Sequence, residues 1–188
     1  IVPGLGSYVV LAEVVSNLSL LPDTPRPSGC GDCAKCIAAC PTQAIVAERT
    51  VDANRCLSYQ TIENRRDIAS ELWPKLGQCI FGCDACQAVC PHNRRKPPGD
   101  PELTASLGTT LPPLADILAW TEDDWDSVTQ GRVLRRATHR MFLRNAILAA
   151  GNAARADLLP SLEPLAADAS LRPYVTWAKK QILAAQSE

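Results

Sequence analysis

Through the last third of the chain, apolar residues recur at helical spacing. Leu134, Ala137, Met141 and Leu148 form one apolar stripe. Arg132, Arg136, Arg140 and Arg144 follow one another at i, i+4 steps beside it, with Arg135 and His139 adjacent. The pattern predicts a single basic-faced helix that ends at Gly151-Asn152. Before it, Thr121 with Asp124 three residues on reads as a capping box that starts a helix through Trp125 and Val128. After it, Leu158 to Leu165 and Leu171 to Leu183 read as a helix pair resembling one unit of a HEAT-type solenoid, with Trp177 and Ile182 in its core. Upstream the period changes. Ala44-Ile45-Val46 reads as a short strand, and Val51 to Cys56 as its return partner. Near the start, Ser7 is a candidate N-cap, and Val9, Val10, Ala12, Glu13 and Val14 fit either a helix or a strand, with the apolar members as core.

Prolines punctuate the pattern. Pro22, Pro25 and Pro27 make an extended lead-in, and Arg94 to Pro113 carries so many prolines that it reads as a linker. With 188 residues and 46% hydrophobic content, the chain is long enough for one domain or two small ones. The net charge of −1 excludes a globally basic nucleic-acid binder, so such a role falls to the arginine stripe. No acidic residue stands at i±4 along the arginine row, so the stripe is not a self-paired ladder. The first residue is Ile1 and the only methionine is Met141, from which an absent upstream region is expected. The opening residues hold Pro3, Gly4, Gly6 and Glu13 and lack a basic start, unlike a signal peptide or a spanning helix.

Nine cysteines supply the candidate chemistry. Cys30, Cys33, Cys36 and Cys40, followed by Pro41, have the full spacing of a bacterial ferredoxin. Cys83, Cys86 and Cys90, followed by Pro91, repeat most of it. Zinc sites use paired C-x2-C knuckles and have no need of a third close cysteine and a trailing Cys-Pro. An odd count suits disulfides poorly, and thiols kept as ligands point to a reducing cytoplasm. In two-cluster ferredoxins the fourth cysteine of each run ligates the other cluster. The first ligand of the second run would follow the return strand, where Cys56 stands, so residues 57–82 read as an insertion that splits the run. Cys79 is the rival for that position, and the repeat favours Cys56. The expected ligand sets are Cys30, Cys33, Cys36 and Cys90 for one [4Fe-4S] cluster, and Cys40, Cys56, Cys83 and Cys86 for the other.

The chain resembles the epoxyqueuosine reductases, cobalamin-dependent iron–sulfur enzymes that complete queuosine in the wobble position of tRNA. The resemblance rests on Gly6-Ser7-Tyr8 with Leu11 and Glu13, on both cysteine runs, and on Cys56-Leu57-Ser58-Tyr59 with Thr61-Ile62-Glu63. It continues through Phe81 to Pro91 and in Phe142-Leu143-Arg144-Asn145 ahead of Gly151-Asn152. It implies that Ser58, Arg65 and Asp84, with Leu11, face a cobalamin held mainly by a preceding domain, which also carries the catalytic acid, so no catalytic residue is expected in this chain. It places Asn64, Arg66 and Asp67 near the tRNA, which Arg132, Arg135, Arg136 and Arg140 would also contact. Val133 stands where the family commonly has proline, and Thr138 where it has a basic residue.

The expected fold is α+β, a ferredoxin-like double [4Fe-4S] module followed by an all-α HEAT-like tail. The expected domains are 1–29 as the end of a cobalamin domain and lead-in, 30–96 as the cluster module with its insertion, 97–113 as the linker and 114–188 as the helical part. The implied function is reduction of epoxyqueuosine in tRNA by a cytoplasmic monomer fed by an electron donor, without a membrane. The competing reading is a plain electron-transfer module docking to another reductase. A reductive dehalogenase relative would share cobalamin and paired clusters but gives no reason for the helical tail.

Overall fold

The computed structural model describes residues 1–25, 29–94, 99 and 112–187. Its described helices and strands are, in chain order, α1 (Lys35–Ala39), β1 (Ile45–Ala47), β2 (Thr50–Val51), α2 (Leu57–Ile62), α3 (Ala85–Ala88), α4 (Leu114–Leu118), α5 (Glu122–Thr129), α6 (His139–Ala153), α7 (Leu159–Leu162) and α8 (Arg172–Ala184). Short 3-10 turns join several of them. The chain divides into two compact units, each built from two stretches: Ile1–Cys40 with Asp84–Gly108, and Pro41–Cys83 with Thr109–Glu188. Most of the expected linker lies outside the described residues, as does Pro27 of the lead-in.

In the first unit the short helices α1 and α3, one after each cysteine loop, pack against each other. The start of the chain is fastened to the second cysteine run. Val2 bridges to Gly6, whose φ of +86° and approach to the His92 carbonyl, 2.7 Å from where a Cβ would lie, admit only glycine. The Ser7 amide donates to Asn93 Oδ1 (2.7 Å), and Asn93 Nδ2 donates to the Ser7 hydroxyl (2.8 Å) and the Gln87 carbonyl (2.7 Å). The apolar run after Ser7 is neither helix nor strand, and it is not core. Val10, Leu11 and Val14 are 96%, 87% and 92% exposed. No described strand pairs with the run, and Val10 and Val14 stand in solvent.

The second unit begins with the expected strand pair, antiparallel with Ile45 opposite Val51. The return strand is shorter than the sequence suggested. Asp52 Oδ1 accepts from the Asn54 amide and turns the backbone into a 3-10 segment, Ala53–Arg55, ahead of Cys56. The insertion is structured: Leu57, Ile68, Leu72 and Leu76 join Phe142, Ile147, Leu162, Tyr174 and Ile182 in one buried cluster. Trp73 completes it, its ring 4.9 Å from that of Tyr174 and its indole N–H donating to the Ile68 carbonyl.

Three helical expectations are corrected. The arginine row does not lie on one helix, because Arg132 precedes a 3-10 turn, Val133–Arg136, and α6 starts only at His139. The cause is Thr138, whose hydroxyl accepts from the Met141 amide (3.2 Å) as an N-cap, a task that a basic residue there could not perform. Gly151 does not end α6, which continues to Ala153 and closes on Ala154 at φ +53°. Gly151 instead lets α8 come close: a Cβ there would sit 2.8 Å from Ala178 Cα and 2.7 Å from Trp177 Cζ3. The first member of the expected helix pair is broken by Pro160 and Pro164 into α7 and a 3-10 turn. The Thr121–Asp124 capping box, by contrast, forms in both directions.

Gly151→Ala is therefore expected to lower stability by about 1–3 kcal/mol through overpacking, despite the better helix propensity of alanine. Urea denaturation followed by helical circular dichroism checks this, and a neutral result would mean that α6 and α8 can part without cost.

Candidate functional site

Two groups of side chains stand out, one in each unit. In the first, Cys30, Cys33, Cys36 and Cys90 line a cavity of about 40 Å³ together with Ile1, Lys35, Pro91 and His92. Three of these cysteines come from the loop around α1 and the fourth from the end of α3, and packing of the two helices brings them together. All four are half-buried and none is in a disulfide. Among the described residues, no three Cys, His, Asp or Glu side chains converge on a point able to hold one metal ion. The run of three cysteines at two-residue intervals with a trailing Cys-Pro, which these four residues draw on, is the spacing of a cluster rather than of a single zinc. Of the other expected ligands, Cys40 and Cys86 belong to the first unit and Cys56 and Cys83 to the second, all half-buried. Cys79 is half-buried too, its amide donating to the Leu76 carbonyl.

The second group surrounds the end of α2. Tyr59, Gln60, Glu63, Asn64, Arg65, Arg66 and Asp67 line a polar pocket of about 480 Å³. Asn64 is buried and shapes it, with Nδ2 donating to Gln60 Oε1 (2.6 Å) and Oδ1 accepting from the Arg66 amide (2.9 Å). Two arginines of the basic row reach the rim. Arg136 pairs with Glu63 (2.5 Å), and Arg140 pairs with Asp67 (3.2 Å) while donating to the Ser170 hydroxyl (2.9 Å). Two members of the row are thus paired with carboxylates distant in sequence, while none is paired at i±4 within the row itself. Arg135 pairs with Asp126 (2.7 Å). The Arg66 guanidinium has no partner among the described residues and is exposed.

Below the pocket, Arg144 is wholly buried. Its guanidinium donates to the carbonyls of Gln60 (2.7 Å), Asn64 (3.2 Å) and Arg66 (2.5 Å), and to Asn145 Oδ1. Burial pushes its pKa down to about 10, so it stays charged at neutral pH. Its charge faces the carbonyl end of α2, where a cation is favoured. Asp67 also accepts from the Tyr174 hydroxyl (3.0 Å), whose own ionisation is raised first by burial.

The residues expected to face cobalamin are dispersed over both units. Ser58 lies half-buried on α2, and Arg65 donates to the Arg136 carbonyl (2.7 Å) and to Met141 Sδ. In the first unit, Asp84 accepts from Gln87 Nε2 (2.6 Å), and Leu11 is exposed. Tyr59 and Glu63 at the pocket were not singled out as site residues, although both lie in the motif that follows Cys56. The pairing of Glu63 with the distant Arg136 leaves no mark in local spacing.

Residues 29–93 match the 4Fe-4S double cluster binding domain family. Along 94% of its length the chain is similar to epoxyqueuosine reductases, 40% identical over 184 residues to that of Shewanella oneidensis and 38% over 179 residues to that of Escherichia coli K12. The chain is homologous to the epoxyqueuosine reductases. It spans about half the length of the curated relatives it matches, 46% and 47% of these two. Solved epoxyqueuosine reductases share its fold. The structure with an epoxyqueuosine-modified tRNA-Tyr stem loop is 32% identical with a TM-score of 0.77, over 86% of this chain and 44% of that one. The structure from Streptococcus thermophilus is 30% identical with a TM-score of 0.76, over 89% of this chain and 45% of that one. No helix in the described residues is long and apolar enough to cross a membrane.

Proposed function

We propose that the chain is the iron–sulfur and tRNA-gripping part of an enzyme that reduces epoxyqueuosine to queuosine in tRNA. The observation that carries this is its homology over nearly its whole length to epoxyqueuosine reductases, one of them solved with a modified tRNA stem loop. In this reading Cys30, Cys33, Cys36 and Cys90 hold one [4Fe-4S] cluster, and Cys40, Cys56, Cys83 and Cys86 hold the other. The exposed segment 8–21 belongs against a cobalamin domain in the other half of the enzyme, towards which Leu11, Ser58, Arg65 and Asp84 face. When bound, the clusters supply single electrons, and cobalamin supplies the two-electron reduction that removes the epoxide oxygen as water.

The part played by these side chains is placement. Asn64, Arg66 and Asp67 meet the tRNA at the pocket, and Arg132, Arg135, Arg136 and Arg140 meet its backbone from a HEAT-like helical domain. The ion pairs of Arg136 and Arg140 are partly exposed, and such pairs are worth only about 0–1 kcal/mol, so phosphates can replace their carboxylates at little cost. The enzyme acts as a cytoplasmic monomer supplied by a separate electron donor.

Replacing Arg66, Arg136 and Arg140 with glutamine together is expected to weaken binding of the modified tRNA roughly tenfold or more. The slope of log affinity against log salt should fall by about 0.7–0.9 per lost phosphate contact. Filter binding at several salt concentrations, with cluster absorbance as a control, checks it. Unchanged affinity and slope would return the arginines to a solvated face and favour a plain electron-transfer module.

A further inference from the structure

We propose that Thr61 and Asn145 are positioning residues that hold Cys56 and Cys83, the cysteines flanking the 57–82 insertion, at one fixed separation for a shared cluster. The inference rests on the reading that both ligate the second cluster. Cys56 immediately precedes α2, its carbonyl accepting from the Gln60 amide (3.0 Å). One turn on, the Thr61 hydroxyl donates to the Leu57 carbonyl (2.8 Å) and accepts from the amide of Gly82 (3.0 Å), the residue before Cys83. Asn145, from α6, closes the same gap. Its Nδ2 donates to both the Thr61 carbonyl (2.9 Å) and the Ile80 carbonyl (2.8 Å). The amide cannot turn over, because Oδ1 accepts from Nε and an Nη of Arg144 (3.2 and 3.1 Å). Both side chains are fully buried.

In a minimal ferredoxin run, the two residues between neighbouring ligands set how far apart the sulfurs lie. Here the insertion replaces that short loop, and a long loop by itself leaves its ends free to separate. Apolar packing holds the insertion in place but has little direction. Hydrogen bonds from one hydroxyl and one amide join its first helix to its last residues, and they supply the directional support that a metal-ligand pair requires.

The test uses the anaerobically reconstituted chain with Cys56→Ser as reference. Thr61→Val is nearly isosteric and leaves the Gly82 amide without its acceptor. Asn145→Asp keeps an oxygen for Arg144 but loses both donors. Iron per chain, the electron paramagnetic resonance of the reduced clusters and their midpoint potentials are read beside helical circular dichroism. With circular dichroism unchanged, the expected result is that the signal absent from Cys56→Ser shifts, or falls at least twofold, in Thr61→Val and Asn145→Asp, while the other cluster's signal persists. Thr61→Ser should restore it. Unaltered signals and potentials in both variants, beside a lost cluster in Cys56→Ser, would overturn the proposal and leave the ligand assignment standing. A defect that Thr61→Ser does not repair would also overturn it, by assigning the effect to the methyl group. Loss of helical structure in both variants would overturn it too, since the pair would then serve the fold. Full iron in Cys56→Ser would remove the ligand assignment and the proposal together.

Discussion

Arg144→Met is expected to lower stability by about 3–5 kcal/mol, well above the usual cost of a single substitution. Removing the guanidinium relieves the desolvation that depresses its pKa. It also leaves the carbonyls of Gln60, Asn64 and Arg66 without this donor, the first two in buried contacts and the third in a partly buried one. Each stranded acceptor costs about 1–3 kcal/mol, so the loss outweighs the relief. Arg144→Lys should recover only part, because a single ammonium cannot span three carbonyls in separate directions. Thermal or urea unfolding followed at 222 nm separates the three forms. Equal stability of Arg144→Met and the parent would mean that the Arg144 hydrogen bonds add nothing to what already holds the insertion.

Reconstitution of the chain is expected to yield about eight irons, and Cys56→Ser to reduce this to about four, with one cluster's spectral signature lost. Cys79→Ser should retain all eight. The argument is one of ligand number: two cubanes need eight thiolates, and nine cysteines leave one spare. Cys56 stands where the second run should begin, next to the hairpin that the repeat predicts. Cys79 is held by its amide in a turn after Leu76, inside the insertion. Iron and labile sulfide analysis decides between them, and the opposite pattern in the two variants would transfer the ligand role to Cys79.

What could be read in advance was what depends on near neighbours in the chain. The capping box at Thr121 and the strand pair from Ile45 to Val51 are of this kind. Cys30, Cys33, Cys36 and Cys90, which the repeat groups as one set, line one cavity, and their sharing of a cluster stays a proposal. What escaped was set by distant partners. Arg144 was already set apart from the arginines expected to contact tRNA, but the carbonyls that bury it lie in the insertion, far off in sequence, and no local spacing names them. The pairings of Arg136 with Glu63 and Arg140 with Asp67 escaped an i±4 comparison for the same reason. Gly151 looked like a stop because glycine serves helix ends and close helix crossings alike, and only the position of Ala178 tells them apart. Thr138 read as a lost charge although it was a gained cap.

Both compact units are assembled from stretches that alternate along the chain. During synthesis, therefore, neither can close in the order in which it leaves the ribosome. The first three cysteines around the cavity emerge early and must wait for Cys90, while the whole 41–83 segment of the other unit passes out unfinished. That segment in turn waits for α6, which carries Arg144 and Asn145. All eight assigned thiols have emerged by Cys90, but the segment that separates Cys56 from Cys83 is secured only once α6 follows, so in the proposed reading the second cluster is completed later than the first.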